Sequence, residues 1–172
     1  MLFQGVAKGL LTLLLVVAAL WDIRRRRIPN VLSAAVFVSG LASSLLVEGW
    51  VYAISGLGAA LLTVAICWVP WMKGLIGGGD VKLAAAAAAW VGLRRLHEYL
   101  LVTALAGALV ALVCYVLSSR QARREMVTNL KMATAGVMPA PPLRGGGGRV
   151  SVPYGVACAL AALLIVFLRK GW

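Results

Sequence analysis

The apolar residues of this chain fall in long blocks with no polar face, separated by short basic segments. Residues 1–21 carry one charge, Lys8, and residues 28–47, 49–72, 99–119 and 150–168 carry none. Each of these blocks is near the ~20 residues that a helix needs to cross a hydrocarbon core of roughly 30 Å. A bilayer tolerates helices that are apolar all round, because their backbone groups pair internally; a soluble fold would need polar faces on most of them. The pattern predicts an all-α, polytopic membrane protein.

A sixth segment is shorter. The helix-favouring tract LAAAAAAWVGL lies between Asp80 and Leu93, and at ~1.5 Å per residue it covers only about 20 Å. If Leu93 and Arg94 mark one membrane surface, Asp80 lies several ångströms inside the other unless the bilayer thins there. The preceding GLIGGG suits a water-filled entry, since irregular backbone at membrane depth is tolerated only beside protein or water. A bundle of six transmembrane helices is the expectation.

Six spans put successive loops on alternate sides. Twelve basic residues then share one side, namely Arg24 to Arg27, Lys73, Lys82, Arg120, Arg123, Arg124, Lys131, Arg144 and Arg149, against Lys8, Arg94, Arg95, Arg169 and Lys170 on the other. The richer side is predicted to be cytoplasmic, with both termini outside. No small-residue cleavage site follows the first block, which runs into Trp21 and Asp22, so this block is expected to stay as an anchor. The whole chain, 1–172, reads as one domain. Its polar 118–149 loop contains APPLRGGGG, the composition of a mobile connector, and residues 120–134 suit a short basic helix on the membrane surface.

Composition removes other classes. The net charge of +12 suits nucleic acid in principle, but the basic residues lie between apolar blocks instead of along one amphipathic face, so no nucleic-acid partner is expected. Cys67, Cys114 and Cys158 sit inside apolar blocks without CxxC pairing, which argues against a metal site or a disulfide framework. Trp21, Trp50, Trp68, Trp71 and Trp90 lie near predicted span ends and read as interfacial anchors. His97 and Glu98, beside Arg94 and Arg95, read as solvated.

The chain has two aspartates, Asp22 and Asp80, and the topology places both at cytoplasmic helix ends. Carboxylates near hydrocarbon are functional candidates, and two at one depth can share a proton. An ionised member would draw a proton from water while a neutral member hydrogen-bonds a scissile carbonyl, which is acid–base hydrolysis of a peptide. The plainer alternative pairs Asp22 with the arginines after it and Asp80 with Lys82.

The flanking residues favour the first reading. Asp22 heads DIRRRRIPN, Asp80 closes GGGD before VKL, and VPYG opens the last block. In order and spacing these resemble the prepilin and preflagellin peptidases, membrane aspartic proteases whose second aspartate lies in a GxGD motif followed by a lysine. Gly77, Gly79 and Asp80 fill that motif, Lys82 takes the lysine position, and Ile28, Pro29 and Asn30 match the stretch after the first aspartate. The resemblance implies Asp22 and Asp80 as catalytic residues, without metal or cofactor, acting on a prepilin with a basic leader.

The neighbouring residues have two readings each. Gly77, Gly78 and Gly79 suit an extended substrate beside Asp80, or a flexible turn. Pro29 and Asn30 suit the start of a second helix. Lys82 can orient Asp80, hold substrate or snorkel to the interface. Pro153, Tyr154 and Gly155 resemble the family's final-helix motif and could line a substrate groove, although proline near a helix start is ordinary.

The resemblance is to the short peptidases of tight-adherence (Flp-type) pili, since the chain lacks the cysteine-bearing insertion of the larger enzymes that also methylate the new N-terminus. Methylation is therefore not expected. The arginines of the cytoplasmic side are expected to fix topology or to meet anionic lipid. Two other functions fit the same carboxylates: a GxGD protease of the signal-peptide-peptidase kind, whose first aspartate typically follows a tyrosine where Trp21 stands here, and a small proton-coupled transporter or assembly scaffold.

Overall fold

The computed structural model describes residues 2–25, 28–73, 75–135 and 153–168. These form seven α-helices: α1 (Leu2–Arg25), α2 (Asn30–Val47), α3 (Trp50–Met72), α4 (Gly78–Val91), α5 (Leu96–Leu117), α6 (Arg120–Thr134) and α7 (Tyr154–Phe167), with a 3₁₀ turn at Leu93–Arg95. No strand occurs among the described residues, in line with the all-α expectation. Four stretches are long and apolar enough to cross a membrane: Phe3–Arg25, Asn30–Val47, Trp50–Met72 and Leu93–Leu117. At 14 residues each, α4 and α7 are shorter than this. Outward-facing Leu13, Leu61, Leu105 and Leu109 leave apolar surface that suits lipid.

Two glycines stop helices at the same end of the bundle. Gly49 (φ 94°, ψ 176°) follows α2 and Gly92 (φ 76°, ψ 167°) follows α4, in a region that side-chain-bearing residues essentially avoid. Their amides still serve the helices they end, Gly49 N–H donating to Ser44 O (3.0 Å) and Gly92 N–H to Ala88 O (2.9 Å). Reversal is therefore achieved without stranding buried donors.

The alanine-rich α4 is the centre of the molecule. Leu83 through Val91 are all buried, with α2, α3 and α7 packed around them. Small side chains let backbones approach closely: a Cβ on Gly56 of α3 would sit 2.5 Å from the Ala89 carbonyl oxygen. Tyr99 of α5 is fully buried and donates its hydroxyl to Ala84 O at 3.2 Å. The phenol ring of Tyr154 in α7 fills the space above Gly107 of α5.

Trp90 corrects one expectation. It is not an interfacial anchor but a core residue, 1% exposed. Gly40 on α2 leaves the slot that its ring fills, since a Cβ there would lie 2.6 Å from the indole Cδ1. The indole N–H is satisfied inside, donating to Val36 O at 2.8 Å. Trp21, Trp50, Trp68 and Trp71 are exposed. Trp90→Ala is expected to cost about 3–5 kcal/mol by opening this cavity, read as a lower unfolding midpoint in detergent.

The basic segment after α5 is helical. Arg123 of α6 folds back onto the end of α5, donating from Nε to Ser118 O (3.0 Å) and from Nη2 to Val116 O (2.6 Å), with its guanidinium 5.5 Å from the Tyr115 ring centre. Carbonyls that α5 cannot satisfy internally are thus used to aim α6. Val127 and Leu130 on α6 remain exposed. The expected Pro/Gly connector lies outside the described residues.

Candidate active site

Asp22 lies one turn before the end of α1, and Asp80 lies in the first turn of α4. Both face the end of the bundle where α2 and α7 begin. The local sequence explains the setting of Asp80. Gly77 is the extended N-cap (φ −71°, ψ 144°), its carbonyl accepting from Asp80 N–H at 3.0 Å, so Asp80 is the third residue of the helix. From there a carboxyl reaches back toward the N-cap amide, as in a capping box. Asp80 does so: its Oδ2 would lie 2.9 Å from a Cβ on Gly77, and its carboxyl is within reach of the Gly77 backbone amide.

Asp22 is held from the opposite side. Its side chain is 4% exposed and its Oδ2 accepts the backbone N–H of Gly155, in the first turn of α7, at 2.9 Å. The Asp80 carboxyl is also within reach of the Gly155 amide and within electrostatic range of Asp22. Helix α7 packs against both α1 and α4. The Gly155 amide therefore holds the Asp22 carboxyl close to that of Asp80, and the absence of a side chain at 155 is what admits Asp22: a Cβ there would lie 2.8 Å from Asp22 Oδ2 and 2.9 Å from Ile28 Cδ1.

The other predicted positions divide. Pro153 is the N-cap of α7 and sets up the turn that aims the Gly155 amide. Tyr154 is directed at Gly107 of α5. A Cβ on Gly78 would meet Trp71 Nε1 at 3.2 Å. Gly79 faces the backbone of Ile28, at a distance (3.6 Å from a Cβ to the Ile28 nitrogen) that alanine would also fit. Pro29 caps α2, while the Asn30 side chain makes no cap bond and instead accepts from Lys82 Nζ at 3.0 Å. Lys82 therefore ties α4 to α2, and among the described residues it makes no ion pair with Asp80.

Ile28 is the contributor that the motif match noted without a role. It is 9% exposed and wedges between the starts of α4 and α7. Its only signal in the sequence is an apolar residue stranded between four arginines and Pro29. Among the described residues no three His, Cys, Asp or Glu side chains gather as metal ligands would.

The Lys82–Asn30 bond makes a separable prediction. In a double-mutant cycle, Lys82→Met and Asn30→Ala are expected to be coupled in stability by about 0.5–1.5 kcal/mol. A loss of activity in Lys82→Met that Asn30→Ala does not reproduce would instead assign Lys82 to the chemistry.

Residues 9–114, more than half of the chain, match the sequence model of the type IV leader peptidase family. The chain belongs to that family. The match takes in both aspartates, Gly77 to Gly79 and Lys82, and ends before α7. No curated protein and no solved structure matches the chain. Membership and the apolar helices together make this a membrane protein of a peptidase family. They also give the packing of α7 against α1 and α4 a chemical setting, since a peptidase must bring its catalytic groups within reach of a scissile bond.

Proposed function

We propose that this leader peptidase is an aspartic endopeptidase that removes the basic leader of Flp-type prepilins, using Asp22 and Asp80 at the cytoplasmic face of the inner membrane. The observation that carries the reading is the convergence of the chain's two aspartates where α7 begins, Asp22 bonded to the Gly155 amide and Asp80 within electrostatic range of it. A purely interfacial role for each aspartate gives no reason for α1 and α4 to bring like-charged groups to one place, an arrangement that is costly unless they share a proton.

The chemistry follows from that sharing. The ionised member of the pair accepts a proton from water as the water oxygen bonds to the scissile carbonyl carbon, while the protonated member donates a hydrogen bond to the carbonyl oxygen. Collapse of the tetrahedral intermediate breaks the C–N bond, and the departing amine takes up a proton from the pair. The two carboxyls act as a unit, so the roles belong to the pair.

Topology supports the same location. Counting α4 and α7 as short spans gives six crossings, and the positive-inside rule then assigns the aspartate end, which carries Arg24 and Lys82, to the cytoplasm. On that side a prepilin presents its leader. The reaction proposed is cleavage alone, with no methyl transfer.

Purified protein in liposomes, given a Flp-type prepilin and no other protein, is expected to release the leader. Cleavage within the pilin's transmembrane helix would point to the signal-peptide-peptidase kind of activity. Proton flux without any cleavage would favour the transporter reading.

A further inference from the structure

Helix α6 has no part in the peptidase chemistry. Since α5 begins where α4 stops, its C-terminus returns to the aspartate end, and only Ser118 and Ser119 separate it from α6. Ser118 is extended (φ −82°, ψ 155°), so α6 does not continue the axis of α5. At 15 residues α6 is near the length at which a lone helix is marginal in water, and among the described helices it packs chiefly against α5. Its remaining sides are open to a partner.

Arg123 decides which way α6 faces. Its bonds to Val116 O and Ser118 O turn that side of the helix toward the end of α5. Met126, Val127 and Leu130 follow it by three, four and seven residues and so share its side. Val127 and Leu130 are 39% and 58% exposed, so the described chain does not cover this apolar side. Leu112, Val116 and Leu117 on the last turns of α5 are exposed as well. The apolar surface of a membrane-crossing helix therefore continues onto α6.

Charge narrows the partner. At 3.6 residues per turn, Arg120, Arg124 and Lys131 fall within about 40° of one another, in a stripe along one edge of the apolar side. Gln121, Glu125 and Thr128 face the other way. The chain has five acidic residues: Asp22 and Asp80 in the candidate site, Glu48 and Glu98 at the far end of the bundle, and Glu125 off the stripe. The counter-charge for three cations in a row must therefore come from outside the chain. A basic stripe beside an apolar face is the build of a helix that lies among anionic headgroups. We propose that α6 docks on the membrane surface beside the aspartate end, with Arg120, Arg124 and Lys131 on anionic lipid headgroups and Met126, Val127 and Leu130 at the acyl boundary. The inference rests on the membrane setting and not on the peptidase chemistry.

The test is hydrogen–deuterium exchange of the full chain in nanodiscs of phosphatidylcholine alone and of phosphatidylcholine with phosphatidylglycerol in equal parts. The α6 amides of the wild type are expected to exchange about tenfold more slowly, or slower still, in the anionic discs, a difference that two or three basic side chains at an anionic surface supply. Arg124→Gln with Lys131→Gln is expected to close most of that gap, and Leu130→Ser to speed exchange in both discs. Lys8→Gln with Arg94→Gln, the same loss of charge at the opposite end, is expected to leave the gap as it is. Fast exchange of α6 in both discs would mean that the helix meets no lipid. Slow exchange in both would mean that protein covers it, and a gap that survives Arg124→Gln with Lys131→Gln would mean that the stripe does not read the lipid charge. Each of these outcomes overturns the assignment.

Discussion

Asparagine in place of either Asp22 or Asp80 is expected to stop leader cleavage, lowering the rate by about 10²–10⁴-fold or below detection. The amide is nearly the same size as the carboxyl but cannot accept or supply the proton, so helix packing should survive and membrane levels should match the wild type. The double variant is expected to be no worse than either single one, because groups that act as a unit are not additive. Co-expression with a Flp-type prepilin, followed by the size shift of the pilin, reads all three variants. Cleavage retained by either single variant sinks the paired mechanism.

Gly155→Ala is the second large effect. The added Cβ has no room: it would meet Asp22 Oδ2 at 2.8 Å and Ile28 Cδ1 at 2.9 Å. Either the carboxyl moves or the start of α7 backs away, and both outcomes break the 2.9 Å hydrogen bond from the Gly155 amide. A displacement of ~1 Å at a reacting group costs about 10²-fold in rate. The loss should appear in turnover more than in the amount of folded protein. Ile28→Ala on the Gly155→Ala background is expected to restore part of it by giving α7 space. Gly9→Ala on α1, where a Cβ meets nothing within 4 Å, should leave activity unchanged. Full activity in Gly155→Ala would mean that the amide does not hold the pair.

Most of the helical plan was legible because hydrophobic block length is a strong signal in a membrane chain. The blocks at 28–47 and 49–72 correspond to α2 and α3 almost residue for residue, and the short alanine tract to α4. Trp90 differs from its expectation because a tryptophan near a span end has the same sequence context whether it faces headgroups or the core. What decides between them is Gly40, fifty residues away, whose missing side chain makes the slot.

The site shows the same division. Asp22 and Asp80 stood out by scarcity and position. The Gly155 amide that holds Asp22 is not legible in the sequence, since it belongs to the backbone and carries no side-chain signature. Lys82 has three readings in the sequence for a related reason: its partner, Asn30, lies on another helix, whereas Asp80 is its neighbour in the chain. Contacts within a turn were readable, whereas contacts between helices needed the packing.

Six consecutive alanines in α4 have a consequence for how Asp80 is pointed. A methyl-coated rod offers its neighbours nearly the same profile at every rotation, so the tract says little about azimuth. The angular setting is fixed at the ends, by the Lys82 tether to α2 on one side and by the indole locked over Gly40 on the other. Trp90 lies ten residues from Asp80, about 15 Å along the axle. It acts as the index mark that decides which way the carboxyl faces.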